Sequence, residues 1–357
     1  MSRRINSELL LLGSLPAAST EEALRAGGEL FGDLVFALPD GETGLRVLWA
    51  AYEAARLLVP NPGLEVIQDN LRNPPRSVRE TAILKVRDGV TELHFESWPR
   101  IDDAIESYGV FRGLREQGVI PAGVRFQVSL PFGTSSLSVF KKDWAHDFPI
   151  ALRAYEDLFA REIKRLTAAI PAGDLAIQWD VCWEVLDIEG VLSWTDGDAW
   201  ERFAGPVRRI TRLIPEETLV GYHLCYGTFP SWPMHEARDM ELLVRMANYA
   251  MDHSGRQVDW LHLAGPRDLR SADGRFFEPL RGLRASDTRV FLGIVLPVDG
   301  LEGLRVRHET ASRYLDDFGV AMYCGFGRQP GQNGMETMRE HRDTVQGLLG
   351  AAASATS

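Results

Sequence analysis

The feature of this sequence that most constrains its fold is the alternation of short apolar runs with longer amphipathic segments. Segment 149–170 carries apolar residues at helical spacing, and 236–253 is similar. Eight runs of five to seven residues are apolar or β-branched enough to form buried strands. These predicted strands are 9–13, 34–38, 124–130, 175–181, 219–225, 258–264, 290–296 and 320–324.

Strands that alternate with helices predict a parallel sheet, which can close into a (β/α)₈ TIM barrel or stay open as a doubly wound fold. Eight strands, with no G-x-G-x-x-G turn after the first, favour the barrel. We therefore predict a single α/β TIM-barrel domain over residues 1–348 and a disordered tail over 349–357. Segment 83–97 breaks the alternation and predicts an inserted β-hairpin turning at Asp88-Gly89.

Composition argues against several classes of protein. The 39 Lys and Arg residues face 50 Asp and Glu residues, and a net charge of -11 is unfavourable for binding nucleic acid or an anionic membrane. The three cysteines Cys182, Cys225 and Cys324 are too few for a disulfide framework and fit a reducing compartment. Since no apolar run approaches transmembrane length, we expect a cytoplasmic protein without a membrane partner.

Reactive residues stand at the ends of two predicted strands. In GYHLCYG, residues 221–227, His223 and Cys225 are two apart and share one face of the fifth strand, while Cys324 ends the eighth. In a closed barrel these ends meet at one mouth. An imidazole with two thiolates suits zinc, although iron and copper accept the same donors. The alternative is a strand histidine beside two inert buried cysteines.

Five segments in the same order give a resemblance to a known family. LLLGSLP (10–16), LPDGETGLR (38–46), IQWD (177–180), GYHLCY (221–226) and YCGFGR (323–328) resemble the C-terminal catalytic barrel of cobalamin-independent methionine synthase. The resemblance implies a barrel that binds Zn²⁺ through His223, Cys225 and Cys324. It also implies that a zinc-bound thiolate accepts a methyl or alkyl group from a donor.

The resemblance further implies a substrate site. The backbone around Gly13 and Ser14 would hold an amino-acid carboxylate, and the active-site acids Glu42 and Asp180 would hold the ammonium group. Arg46 is a candidate ligand for a substrate carboxylate or phosphate. Structural roles are open alternatives: Glu42 as a helix cap, Asp180 paired with an arginine, and Arg46 in an internal ion pair.

The chain also departs from the family pattern. Ala264 stands where the family has a glutamate ligand, so either the metal keeps an open position or His262, on the same strand face, substitutes. Segment 293–297, Gly-Ile-Val-Leu-Pro, lacks the family's proton-donor histidine, and 128–136 shows no tryptophan for pterin stacking. These departures argue against a standard folate-dependent methionine synthase.

Three functions follow from these observations. The first is a zinc-dependent methyl- or alkyltransferase whose partners are a thiol or amino-acid substrate and a methyl or alkyl donor, such as a corrinoid protein or a folate. The second is a metal-free decarboxylase or lyase of the uroporphyrinogen decarboxylase-like superfamily. The third is a non-catalytic barrel that binds a metal or small molecule.

Overall fold

The computed structural model describes residues 5–73, 75–77, 79–228, 234–266, 273–296, 299–328 and 334–355. Eight parallel strands form one sheet in the order β1-β10-β9-β8-β7-β6-β5-β2. Their bounds are β1 Leu9–Leu10, β2 Ala37–Pro39, β5 Arg125–Pro131, β6 Leu175–Val181, β7 Leu219–Leu224, β8 Trp260–Ala264, β9 Arg289–Val295 and β10 Gly319–Met322. All eight lie within or beside the predicted strands, which confirms the α/β assignment.

The two edge strands meet through the segments that follow them. Ser14 and Gly41 form an isolated parallel bridge, and the Leu15 amide donates to the Gly41 carbonyl at 2.9 Å. The sheet is therefore a nearly closed barrel, and the predicted (β/α)₈ single domain is confirmed. An open doubly wound sheet is excluded, because its edge strands would lie far apart.

Helices surround the sheet and cover its outer face. The longer ones are α1 Thr20–Phe31, α3 Pro99–Glu116, α5 Trp144–Ala169, α7 Ala199–Arg209, α8 Glu241–His253, α10 Gly300–Ala311 and α11 Gly334–Ala355. The shorter ones are α2 Trp49–Glu53, which runs into a π turn at Ala54–Leu58, α4 Gly133–Ser136, α6 Trp183–Ile188 and α9 Gly274–Phe277. The predicted helix at 149–170 is α5, which begins one turn earlier.

The barrel interior changes from apolar to polar along its axis. At the amino-terminal end the rings of Phe36, Trp260 and Phe291 pack together, with centroids 5.1 and 6.0 Å from that of Phe36. Towards the carboxyl ends, Gln127 and Gln178 donate across the interior to the carbonyls of Leu11 and Leu12. An apolar base below a polar layer leaves the carboxyl end of the barrel as the place for chemistry.

The predicted hairpin at 83–97 is wrong in its pairing. Strand β4, Ala82–Val86, pairs antiparallel with the upstream strand β3, Leu64–Asp69, and segment 91–97 is not a strand. The turn at Asp88-Gly89 exists, and Gly89 has the left-handed φ of 84° that favours glycine there. The chain beyond it is held instead by Asn61 and Arg161, which donate to the carbonyls of His94 and Phe95.

The carboxyl-terminal segment also differs from its prediction. Helix α11 continues to Ala355, so most of the tail expected to be disordered from residue 349 is helical, while 356 and 357 lie outside the described residues. The composition of this tail, rich in alanine, suits a helix as well as a frayed end. Within the described residues, no helix combines the length and apolar character needed to cross a membrane.

Candidate metal centre

The three predicted metal ligands lie together at the carboxyl end of the barrel. His223 is on β7, Cys225 follows the end of that strand, and Cys324 follows β10. One donor atom of each lies within 4.8 Å of the others, and all three side chains are buried. In the described part of the chain this is the one group of His, Cys, Asp and Glu that meets such a criterion.

The donor chemistry of this group fits a thiophilic divalent ion. The pKa of the Cys225 thiol is raised well above its usual value, chiefly by contact with the Cys182 thiol and also by burial, while the contact with Cys324 opposes the rise. Buried thiols without a nearby positive charge keep their protons. A bound cation would supply that charge and favour the thiolates. With three protein donors, a tetrahedral zinc ion would keep one open position.

His262 lies behind His223 rather than among the ligands. The two residues are register partners on β7 and β8, and their Nδ1 atoms are 2.7 Å apart. The Nε2 atom of His262 is 2.9 Å from the Met322 carbonyl oxygen. Burial lowers the pKa of His262 to about 3, so its ring is neutral at neutral pH. Both ring nitrogens of His262 are thus engaged, which argues against the predicted alternative that it replaces the family's glutamate ligand.

Ala264 leaves the position of that glutamate without a donor atom. It is buried and pairs with Gly293 on β9, so no carboxylate enters the centre from this strand. The open-position alternative predicted from the sequence is the one that this arrangement favours.

Gly13 and Glu42, two of the predicted substrate-binding residues, lie against each other. Gly13 has a φ of 124°, and a Cβ there would lie 3.2 Å from Glu42 Oε2. Glu42 has a left-handed φ of 44°, which is uncommon outside glycine and marks a constrained loop. A cavity of about 20 Å³ borders Gly13, Glu42, Arg100 and Ser129, which is room for about one water molecule.

Arg100 is a residue of this region that the sequence did not reveal. Its guanidinium lies 3.7 Å from Glu42 and donates to Glu53 at 2.9 Å. Glu53 also accepts from the Trp98 indole at 2.9 Å. Glu42 is thus part of a buried ionic cluster. No motif marks Arg100, because its neighbours come from distant parts of the chain.

Ser14 contacts the loop that carries Cys324. A Cβ on Gly325 would lie 2.2 Å from Ser14 Oγ, and the Gly327 amide donates to the Ser14 carbonyl at 3.3 Å. The glycines that follow Cys324 therefore allow this close approach. The predicted role of Ser14 in holding a substrate carboxylate stays a prediction.

Asp180 lies on β6, the strand next to the one that carries His223. It is the register partner of His223, and its Oδ1 accepts from Gln178 at 2.9 Å. Its use in binding an ammonium group stays a prediction that this position favours.

Arg46 has a structural environment. It donates to Asp40 at 2.5 Å and to Thr20 Oγ1 at 3.1 Å, and it lies 3.8 Å from Asp103. This is the internal ion pair that the sequence left open as an alternative. Binding of a substrate anion by Arg46 stays a prediction, and it would have to compete with two carboxylates.

Glu184 lies on helix α6, beyond the end of strand β6. Strand β6 ends at Val181 and helix α6 begins at Trp183, so Asp180, Cys182 and Glu184 do not share one strand face. The Glu184 carboxylate is buried and accepts from the amide and hydroxyl of Ser135, at 3.1 and 2.7 Å. Burial outweighs these bonds and raises its pKa from 4.5 to about 7.

This raised pKa predicts a stability change with pH. The folded state holds the Glu184 proton more tightly than the unfolded state does. The contribution of this proton to the free energy of unfolding is therefore complete below pH 4.5 and is lost by pH 7. As the pH rises from about 5 to about 8, we expect the free energy of unfolding of Glu184→Gln to increase by about 2–3 kcal/mol relative to that of the wild type. Urea unfolding of both proteins measures this difference, and parallel pH curves would contradict it.

Comparisons with known proteins establish the fold and no family. A scan against protein-family models and a search of the curated proteins both found no match.

Three similar solved structures have names that describe methyl transfer. One is described as a putative vitamin-B12 independent methionine synthase from Listeria monocytogenes (13% identity, TM-score 0.60, covering 96% of this chain and 99% of that one). Another is a B12-independent methionine synthase from Shewanella sp. W3-18-1 in complex with selenomethionine (14%, 0.61, 97% and 100%). The third is a methyltransferase from Methanosarcina mazei (11%, 0.53, 97% and 95%). At these identities the chain is similar to those proteins in fold.

Proposed function

We propose that this protein is a zinc-dependent transferase that moves a methyl or alkyl group from a donor to a thiol. The observation that carries the proposal is the buried group of His223, Cys225 and Cys324 at the carboxyl end of a TIM-barrel sheet. Similar structures named as methionine synthases and a methyltransferase support the same reaction class.

The three donors would hold the zinc ion, and Ala264 would leave a coordination position open to an acceptor. Zinc, when bound, would lower the pKa of an acceptor thiol so that the thiolate predominates at neutral pH. The thiol proton passes to solvent. The sulfur lone pair then forms the new S–C bond while the donor keeps the electron pair of the bond that breaks.

The protein's own residues would position the acceptor. Asp180, oriented by Gln178, is the register partner of His223 on the neighbouring strand and would bind the ammonium group of an amino-acid acceptor. Glu42 would provide a second carboxylate, with its charge partly balanced by Arg100. Since alignment of sulfur and carbon dominates such a transfer, a fixed acceptor is the main contribution of these groups.

The proposal is tested by measuring thioether formation directly. Zinc-loaded and chelated protein are each incubated with homocysteine as the thiol and with methylcobalamin or a methyl-folate as donor. We expect S-methylated product by mass spectrometry with zinc-loaded protein alone, and recovery of activity when zinc is returned to the chelated sample.

Two outcomes would contradict this function. Turnover of a carboxylated substrate that persists after chelation would favour the metal-free lyase. Zinc bound at the three ligands, with no product from a panel of thiols and methyl or alkyl donors, would favour a non-catalytic metal-binding barrel. A corrinoid protein as donor stays a prediction, which the methylcobalamin arm addresses.

A further inference from the structure

A buried chain of hydrogen bonds joins three strands behind the candidate metal centre. It runs from His223 on β7 to His262 on β8 and on to the Met322 carbonyl on β10, with distances of 2.7 and 2.9 Å. The bond from His262 to β10 is unusual because it passes over β9, the strand that lies between them. His262 is completely buried.

Gly293 on β9 makes this bond possible. A Cβ at this position would lie 2.8 Å from His262 Nε2 and 3.0 Å from the Met322 carbonyl oxygen. The φ of Gly293 is not left-handed, so the glycine is needed here for space. The register between β9 and β10 also shifts between Val320 and Met322. At this irregularity the Met322 carbonyl is available to a side chain.

The chemistry of the acceptor fixes the direction of both bonds. A carbonyl oxygen only accepts, so Nε2 of His262 carries the proton and donates to Met322. The neutral ring then has a lone pair on Nδ1, which accepts from the Nδ1–H of His223. His223, with its proton on Nδ1, has its lone pair on Nε2. That atom is the one a metal ion would use.

We propose that His262 is a positioning residue that holds His223 in the metal-binding tautomer and fixes the orientation of its ring. The same imidazole is tied to Met322, two residues before Cys324, so it couples ligands from two distant strands. This inference rests on the proposed function only in taking His223 as a metal ligand. A partner that sets the tautomer and orientation of a ligating histidine commonly changes metal affinity 10–100-fold.

The tautomer can be measured in the metal-free protein. ¹⁵N-histidine labelling with two-bond ¹H–¹⁵N correlation spectra distinguishes a protonated from an unprotonated ring nitrogen. We expect His223 to be protonated on Nδ1 and unprotonated on Nε2 in the wild type. A wild-type spectrum with the His223 proton on Nε2 would overturn the proposal, whatever the reaction of the protein is.

Variants of His262 separate positioning from packing. We expect His262→Leu to lose the single tautomer and to bind zinc and cobalt 10–100-fold more weakly. His262→Gln keeps an acceptor for His223 and a donor for Met322 in one amide, so it should restore affinity to within a few-fold of wild type. A role in packing alone predicts the opposite ranking, because leucine fills an apolar space and glutamine buries a polar group.

Gly293→Ala tests the same chain of bonds with both histidines in place. The added methyl group would displace His262 Nε2 or Met322, and we expect a similar loss of cobalt affinity with an altered ligand-field spectrum. Gly109→Ala on the exposed surface of α3 is the matched control, since nothing lies within 4 Å of its Cβ, and it should leave affinity unchanged. Wild-type affinity and tautomer in folded His262→Leu and Gly293→Ala would overturn the proposal.

Failure of this inference differs from failure of the proposed function. If the wild type binds no zinc or cobalt, the transferase proposal fails, while the tautomer in the metal-free protein still tests His262. If metal binds with wild-type affinity in His262→Leu, the positioning role fails and the transferase proposal stands.

Discussion

Replacement of Cys225 by serine should remove most of the bound zinc. Wild-type protein is expected to hold about one zinc ion per chain, and Cys225→Ser should hold almost none after dialysis. The hydroxyl is a poor substitute because zinc prefers a thiolate, and the site offers no carboxylate at Ala264 to compensate. The loss should exceed the roughly 10–100-fold effect expected from a residue that only supports a ligand. Elemental analysis and competition with a chelator measure it.

Cys182→Ser is the matched control for this experiment. Cys182 is also buried and its thiol contacts that of Cys225, yet it lies outside the three-ligand group. We expect this variant to retain its zinc. Equal zinc contents in wild type and Cys225→Ser would remove the basis of the transferase proposal. Equal losses in both cysteine variants would instead show that Cys182 is a fourth ligand.

Replacement of Arg100 by leucine should destabilise the protein by about 3–5 kcal/mol, because removal of one partner leaves a buried charge uncompensated. Glu53 has no exposed surface and accepts from Arg100 and Trp98, and Glu42 is nearly as buried. Burial already raises the pKa of Glu53 although Arg100 opposes the rise. Without Arg100 both carboxylates would have to take up protons or move. Urea unfolding at neutral pH gives the change in free energy.

Arg112→Leu on the same helix provides the control. Arg112 and Glu116 form an exposed i,i+4 pair at 3.8 Å, and such pairs contribute about 0.3–0.5 kcal/mol. Adding Glu53→Met to Arg100→Leu should recover part of the lost stability, since one buried charge is removed with its partner. An Arg100→Leu protein as stable as Arg112→Leu would show that water reaches this cluster.

Much of the fold was predictable because its signals are local. Strands β5 to β10 appear as apolar runs, and each observed end lies within two residues of the predicted one. His223 and Cys225 share a strand face by a spacing of two, and the barrel topology predicts that Cys324 joins them. Predictions failed where a local pattern was ambiguous. The turn at Asp88-Gly89 was correct, but its strand pairs with residues upstream.

The network around the centre was not predictable in the same way. His262 could be predicted to share a face with Ala264, but its bond to Met322 depends on a missing side chain at Gly293 and on an irregularity in β10. Arg100 contacts Glu42 and Glu53 from the first turn of α3. These contacts join residues that are far apart in the sequence, so no local sequence pattern predicts them.

The sequence by itself determined the class of fold, the order of its strands and the identity of the three candidate ligands. These depend on hydrophobic periodicity, which is a property of the local sequence, and on donor chemistry, which is a property of the residue type. Only the tertiary structure decided which polar groups meet inside the barrel and which partner each buried charge or ring nitrogen has. The physical reason is that closing the sheet brings strands together that are distant in the chain. Burial then makes each resulting polar contact strong enough to fix a proton or a charge.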